Sequence, residues 1–426
     1  MGVFLSFKSV ILYALAVGFA PSGSVHAADL SPKADVATVV DRGLTQAIDR
    51  AVHTHPSVDV ARAGAQAAGV DVYAARWQRF PTLSVEGLLL DQSTNKLQAQ
   101  AVVDQPIWTA GRISGSIDRA SARENASLAA YDEAVLAVAL STSQAFFDVY
   151  RLRERAKIIS VSLQQHNSMV ETMQRRVEQQ VSPSSDLDLA RARALQIEQE
   201  FFQVQAQERS ALSRLREWMG DAAFDVSGEL TFPTVWPRFE DSDVLNMAID
   251  YSPQLRRLSF ESESAKADVQ IAKSVTLPQL SAQYSYSEAL GNRFGLVLKL
   301  QSEGGLSKFS EAEATKIRAQ STQFQHEVAA RQLRDQLFSA LREYDSFTKR
   351  IVNSASASES TKLVMESYMR QFTSGRRTWL DVMNAVREST AAETDALDVR
   401  VGGEASLVRI LLLSGQWIPE SREVNK

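Results

Sequence analysis

The distribution of proline constrains the fold of this chain more than any other feature of the sequence. Residues 107–182 and 279–417 contain no proline. Because proline breaks helix interiors, these two stretches are the places where very long helices can run. At ~1.5 Å per residue, a helix from about Arg112 to Val181 is on the order of 100 Å long, several times the width of a compact domain. The sequence therefore predicts an elongated helical molecule rather than a set of globular domains of roughly 150 residues.

The first stretch carries a heptad repeat of apolar residues, which is typical of a coiled coil. Its seam positions are Leu128, Tyr131, Val135, Val138, Thr142, Ala145, Val149, Leu152, Ala156, Ile159, Leu163, His166, Val170, Met173 and Val177. After a turn at 182–186, a second apolar series continues from Leu187 to Trp218 and contains the charged Glu208. We interpret His166 and Glu208 as ordinary, partly exposed coiled-coil positions and not as ligands.

The second half of the chain repeats this plan. From Ala330 to Ile351, apolar residues recur at alternating intervals of three and four residues, as in the first stretch. A turn at 373–375 then precedes Trp379. Identical residues recur at an offset of 197, which indicates an internal repeat. The matched pairs are Pro56 and Pro253, Ala68 and Ala265, Val72 and Val269, Ala75 and Ala272, Pro81 and Pro278, Leu83 and Leu280, and Ser84 and Ser281.

Each half also contains two short segments with alternating apolar and polar residues, which predict one β-hairpin per half. These hairpins are expected at 81–107 and 278–301. Strands of about ten alternating residues suit a barrel wall with one face in lipid and the other in water. Four strands cannot close a barrel, so several copies would have to share one. The alternative left open by the periodicity is a soluble β-layer that caps a coiled coil.

The N-terminus has the pattern of a secretory signal peptide, in which Lys8 precedes an apolar run from Val10 to Ala20 and a small-residue site ends at Ala27. The chain has no cysteine, so neither disulfides nor lipid attached to cysteine are expected. The formal charge of -5 becomes -6 when Lys8 is removed, and charges of both signs are interspersed. Nucleic acid is therefore not expected as a partner.

The sequence shows no pattern of catalytic residues. His53 and His55 form a close pair, but no acidic or cysteine residue nearby completes a metal site, and they are expected to flank a turn before Pro56. We find no phosphate-binding loop, nucleophile motif or paired-carboxylate cleft, and expect no enzyme, cofactor or metal.

Two segments, together with the duplicated helical hairpins, resemble the TolC family of outer-membrane factors. They are the junction Gln105-Pro106-Ile107-Trp108-Thr109-Ala110-Gly111-Arg112 and the run Phe372-Thr373-Ser374-Gly375-Arg376-Arg377-Thr378-Trp379-Leu380-Asp381-Val382-Met383-Asn384-Ala385. The resemblance implies a mainly α fold with a small β part. Long helical hairpins would form a periplasmic α-barrel, and four strands per protomer would contribute to a shared trimeric twelve-stranded β-barrel in the outer membrane of a Gram-negative bacterium.

The resemblance also implies an organisation along the chain. A signal peptide over 1–27 precedes a first repeat over 28–219, an equatorial connector over 220–250, a second repeat over 251–415 and a tail over 416–426. The long helical hairpins are expected at 111–219 and 306–415.

In the TolC family the hairpin tips narrow the periplasmic entrance, and the resemblance places this constriction at six residues. Asp381 would form a ring of carboxylates, with Asn384 one helical turn further on. Arg377 with Ser185, and Phe372 with Asp186, match positions that are linked in the family. The best-known form of the family has a tyrosine where this chain has Phe372, so the second link lacks its hydroxyl here.

The outer ends of the hairpins would contact a periplasmic adaptor through Val181, Ser182, Ser374 and Gly375. The resemblance further implies a passive channel that works with an inner-membrane ABC transporter or proton-driven pump. The string 374–381 and residues 384–388 are similar to the branch that serves type I secretion of adhesins or agglutination proteins. The alternatives are multidrug or metal efflux and, in a different class, a soluble periplasmic coiled-coil scaffold.

Overall fold

The computed structural model describes residues 40–89, 97–226, 230, 232–233, 236–287, 291–300 and 306–420. All of them lie in one compact unit, residues 34–426. The predicted signal peptide, 1–27, and the end of the predicted tail lie outside the described residues. Within the described part of the chain, no helix is both long and apolar enough to cross a membrane.

The described elements occur twice in the same order: two helices, two strands, one very long helix and one shorter helix. The first set is α1 (Arg42–Thr54), α2 (Pro56–Trp77), β1 (Thr82–Leu89), β2 (Leu97–Trp108), α3 (Arg112–Glu178) and α4 (Ser184–Met219). The second set is α5 (Asp241–Tyr251), α6 (Pro253–Ser274), β3 (Gln279–Ser287), β4 (Gly291–Lys299), α7 (Ser307–Thr373) and α8 (Trp379–Leu413). Helices α3 and α7 each have 67 residues.

Local residue chemistry explains where several helices begin. Pro56 and Pro253 occupy the first turn of α2 and α6, where a missing backbone N–H has no cost. Asp41 caps α1 by accepting from the backbone N–H groups of Gly43 and Leu44. Ser252 caps α6 in the same way through the N–H of Leu255.

Helix α3 changes neighbours along its length. Near its start it packs against α2 and α6, where Arg119 forms an ion pair with Asp268 at 3.2 Å. Further along it packs against α4 and α8, where the Thr390 hydroxyl donates to the Ser162 hydroxyl at 3.1 Å. Helix α7 packs against α6 and then against α8. The helices therefore lie side by side in the order α2, α3, α6, α7 near the sheet and α4, α3, α8, α7 near the long hairpin tips.

The largest apolar core lies between these two regions, where α1 and the connector cover the long helices. Among its fully buried side chains are Leu44, Ile48, Phe146, Leu337 and Leu407. Residues from α1, α3, α4, α7, α8 and the connector all contribute to this cluster. Packing of these elements fixes the level at which the helices change neighbours.

The structure corrects the expectation that His166 is partly exposed. Its side chain is only 4% exposed because α3 is packed between α4 and α8 at this level. The Nδ1–H donates to the carbonyl oxygen of Ser162 at 2.7 Å, and burial lowers the pKa of the imidazole. Glu208 is partly exposed as expected, and accepts from Arg153 Nε at 2.8 Å.

The four strands form one antiparallel sheet in the order β1-β2-β3-β4. The β2–β3 pairing joins the two halves of the chain, with Val103 opposite Tyr284. A register shift follows Pro106, where the missing backbone N–H interrupts the ladder. Strands β1 and β4 are the two edges of the sheet within the protomer.

Candidate functional site

The sheet has one apolar face and one polar face, because side chains alternate along each strand and the register aligns them between strands. One row across the apolar face contains Leu83, Val103, Tyr284 and Phe294. A row across the polar face contains Thr82, Asp104, Gln283 and Gly295. On that face the Ser281 hydroxyl donates to the Asp104 carboxylate at 3.0 Å.

The apolar face is exposed in β1 and β4, and in the second half of β3 it is more exposed than the polar face. Phe294 and Leu296 in β4 are 77% and 64% exposed. Val297, which follows Leu296 and lies on the polar face, is only partly exposed. In β3, Tyr284 and Tyr286 are exposed while Gln283 and Ser285 are partly covered. A sheet in water normally exposes its polar face, so this arrangement suits contact with an apolar medium.

The helices at the two edges of the protomer also expose apolar stripes. On α7, Ile317, Phe324, Phe338 and Val352 are separated by seven or fourteen residues, so they lie on one side of the helix. Exposed apolar residues on α2, at the opposite edge, include Val70 and Trp77. Exposed apolar stripes of this kind are typical of surfaces that contact another protein.

The tips of the two long hairpins have the same backbone turn. Gly375 has φ of 74° and Gln180 has φ of 59°, and the two residues are separated by the same 195 positions that separate α7 from α3. In each turn the N–H one position beyond this residue donates to a carbonyl five residues earlier, from Val181 to Arg176 and from Arg376 to Gln371. Sequence reasoning placed turns at both tips but found a small-residue turn only at Gly375, because a glutamine at position 180 does not predict a left-handed conformation.

Asp381 lies in the first turn of α8 and forms a capping box with Thr378. Its Oδ2 accepts from the Thr378 backbone N–H at 3.2 Å and from the Thr378 hydroxyl at 2.8 Å. The Thr378 hydroxyl oxygen accepts from the Asp381 N–H in return. These hydrogen bonds lower the pKa of Asp381, with Arg377 adding a smaller effect. Asn384 is exposed one turn later, where its Oδ1 accepts from Arg387.

The structure places the other predicted constriction residues at the same end of the molecule. Ser185 is exposed and Asp186 is partly exposed in the first turn of α4, while Phe372 is buried at the end of α7. The Arg377 guanidinium lies over the ring of Tyr368, 4.3 Å from its centroid, and its Nε donates to Gln371 at 3.4 Å. Within the described protomer Arg377 therefore contacts its own hairpin.

Arg176, which sequence reasoning did not single out, contacts both hairpins. Its Nε donates to the Ser182 hydroxyl at 3.2 Å, and its guanidinium lies over the ring of Phe372, 5.3 Å from the centroid. Gln371 occupies the position equivalent to Arg176 at the 195-residue offset, and Arg377 occupies the position equivalent to Ser182. Comparison of the two repeats would have shown that the arginine precedes the turn in the first hairpin and follows it in the second. It would not have shown the contact of Arg176 with Phe372.

The histidine pair near Pro56 serves the helix junction. His55 lies between α1 and α2, its Nδ1 is 2.7 Å from the Ser57 hydroxyl, and its ring stacks on Trp218. The described residues contain no group of three or more acidic, histidine or cysteine side chains that could hold a metal ion.

The family comparison agrees with these features. Residues 47–221 match the family described as outer membrane efflux protein. No curated protein sequence is significantly similar to this chain.

Solved structures with the same fold include three outer-membrane channels. The channel OprN is 16% identical with a TM-score of 0.78 and covers 89% of this chain and 91% of its own. The CmeC channel of Campylobacter jejuni is 13% identical with a TM-score of 0.76, over 90% of this chain and 88% of its own. The open state of the MtrE channel of Neisseria gonorrhoeae is 17% identical with a TM-score of 0.73, over 88% and 89%.

Proposed function

We propose that this chain is a TolC-like outer-membrane channel protein, three copies of which form one conduit for type I secretion of proteins; its fold and the family match of residues 47–221 support this proposal. Proteins of this family are trimeric channels rather than enzymes, and they work with periplasmic adaptors and inner-membrane pumps. The outer membrane of a Gram-negative bacterium is the corresponding location.

The observation that carries the proposal is the exposed apolar face of the four-stranded sheet. Phe294 and Leu296 point to the same side as Leu83 and Val85 of the distant strand β1, and all four are exposed. In hydrocarbon, the unpaired backbone groups at the β1 and β4 edges would cost several kcal/mol each. Pairing β1 of one copy with β4 of the next removes both edges and yields a shared barrel of twelve strands.

Lysine substitutions on neighbouring residues of β4 test whether this face meets lipid. Leu296→Lys places a charge on the apolar face, at a cost of about 2–4 kcal/mol near the bilayer midplane. Val297→Lys is the matched control, since it changes an apolar residue of the same strand on the other face. We expect only Leu296→Lys to lower the yield of membrane-inserted trimer after high-salt washing. Equal yields for both variants, or wild-type protein released by the wash, would favour a soluble scaffold.

We propose that Asp381 contributes a ring of negative charge to a periplasmic constriction that includes Asn384, Arg377, Ser185, Asp186 and Phe372. Since hydrogen bonds from Thr378 hold the Asp381 pKa low, the carboxylate stays charged at neutral pH. Three like charges around one axis attract cations.

Two substitutions separate this charge from the helix cap. Asp381→Asn removes the charge but keeps an acceptor oxygen for Thr378, whereas Thr378→Ala removes the cap and leaves the charge. In bilayer recordings of the purified trimer, we expect cation selectivity to fall in Asp381→Asn and to persist in Thr378→Ala. Unchanged selectivity and cation block in Asp381→Asn would remove this residue from the pore lining.

The proposed adaptor contact uses the turns at Val181, Ser182, Ser374 and Gly375. A Cβ on Gly375 would meet no atom within 4 Å in the protomer, so this surface is open to a partner. A bulky side chain at Gly375 should abolish export, and intact export would count against the tip contact. Gly375→Ala, with the same positive φ but little added volume, controls for backbone strain.

The cargo has two candidates. Similarity of residues 374–381 and 384–388 to the adhesin-secreting branch supports protein export, and the family description, outer membrane efflux protein, supports the alternative of multidrug or metal efflux. A deletion strain distinguishes them: loss of a large secreted protein at unchanged drug and metal tolerance is expected for type I secretion. Lowered tolerance with an unchanged secreted protein would identify an efflux component.

A further inference from the structure

We infer that Arg176 is a positioning residue that holds the two long hairpins together at their tips through its contact with Phe372. The inference rests on the proposed function, because it concerns the closure of a channel entrance. It involves a different pair of groups from the polar links that the family resemblance places at Arg377 and Phe372.

Arg176 is tied to its own turn at three points. Its side-chain Nε donates to Ser182, and its carbonyl oxygen accepts from the backbone N–H groups of Val181 at 2.8 Å and Ser182 at 3.3 Å. A displacement of the first turn therefore moves the Arg176 guanidinium with it. The cation also lies in the last turn of α3, where the helix dipole favours positive charge.

Phe372 provides the opposite surface. It is 7% exposed and belongs to an apolar cluster with Met173 of α3, Leu187 of α4 and Val382 of α8. Burial fixes the orientation of the ring, so its face is a preformed site for a guanidinium. Without a hydroxyl, Phe372 cannot donate a hydrogen bond to Asp186. The contact with Arg176 attracts the two hairpins to each other without requiring a hydroxyl on the ring.

The second turn has no equivalent contact to the first hairpin. Its arginine, Arg377, lies over Tyr368 and donates to Gln371, both in its own hairpin. Among the tip residues that the structure describes, the stacking of Arg176 on Phe372 is therefore the cation–aromatic contact that joins the hairpins.

The contact can be tested directly because the natural chain has no cysteine. Spin labels on Gln179→Cys and Ser374→Cys, both at exposed positions, report the separation of the two turns within the full trimer by pulsed electron–electron double resonance. A part-exposed cation–aromatic contact shifts a two-state population about two- to fivefold. We expect Arg176→Gln to raise the long-distance population by this factor and to increase conductance in bilayers.

The matched control is Arg175→Gln, since Arg175 is exposed and, among the described residues, its guanidinium donates to Thr172 on its own helix. Phe372→Tyr keeps the aromatic face and adds a hydroxyl that can donate to Asp186, so it should not raise the long-distance population. Phe372→Leu keeps apolar volume without the aromatic face and should behave as Arg176→Gln. The combination of Arg176→Gln with Phe372→Leu should add nothing to either change alone. Additive effects, or wild-type distances in Arg176→Gln, would overturn the inference. A wild-type trimer that conducts no current in bilayers would instead contradict the proposed channel function. The distances between the spin labels would still test the contact of Arg176 with Phe372.

Discussion

At the scale of single residues, Glu404 of α8 is the least expected group in the core. It is 1% exposed, and neither carboxylate oxygen has a hydrogen-bond partner. Burial, with a further contribution from the charge of Asp41, raises its pKa to about 8. The folded chain therefore keeps a proton that the unfolded chain releases near pH 4.5. Its contribution to stability is complete below pH 4.5 and is lost as the pH rises to about 8.

Glu404→Gln should remove this pH dependence. We expect the variant to have a higher melting temperature than wild type at pH 7, by the equivalent of up to about 3 kcal/mol per protomer, and a similar one at pH 4.5. Thermal unfolding of the trimer at several pH values measures the effect. Glu343→Gln, at an exposed position on α7, should leave the profile unchanged. A Glu404→Gln profile parallel to that of wild type would show that this carboxyl does not change protonation on folding.

Gln180 offers a second test at the residue scale. Its φ of 59° lies in the left-handed region, which costs a non-glycine residue roughly 1 kcal/mol. Gln180→Gly should therefore stabilise the trimer, and Gly375→Ala should destabilise it by a similar amount. Denaturant midpoints compare the two, with Gln179→Gly as a control at a negative φ, where glycine should destabilise. A lower midpoint for Gln180→Gly would contradict the assigned turn.

At the scale of elements, the exposed stripe of α7 is expected to pack against the next copy. Phe324→Asp puts a charge into that contact, where an unpaired carboxylate is strongly unfavourable. We expect the variant to lose the trimer in native mass spectrometry while its helix content in circular dichroism is retained. Gln323→Asp, at the exposed neighbouring position, is the control and should remain trimeric. Trimers of normal abundance in Phe324→Asp would place this side of α7 outside the interface.

At the scale of the whole molecule, the length of α3 sets the size of the proposed conduit. At ~1.5 Å per residue, its 67 residues extend about 100 Å. Electron micrographs of detergent-extracted protein should therefore show particles with threefold symmetry and a helical part of at least this length. Monomeric particles, or another symmetry, would contradict the shared barrel.

Local chemistry along the chain was sufficient to predict the elements of this fold. Proline-free heptads predicted α3 and α7, alternating residues predicted the four strands, and the turn at Gly375 follows from its backbone freedom. The resemblance at 372–385 also led to the correct fold class. These features could be read because each depends on residues that are close together in the chain.

Only the tertiary structure decided which faces are covered. His166 was interpreted as a partly exposed seam position and is buried, because α3 is packed between α4 and α8 at this level. Neither the burial of Glu404 nor the contact of Arg176 with Phe372 could be predicted, since the residues that surround these side chains come from helices far apart in sequence. Periodicity specifies one face of a helix, whereas burial and charge environment depend on every element packed around it.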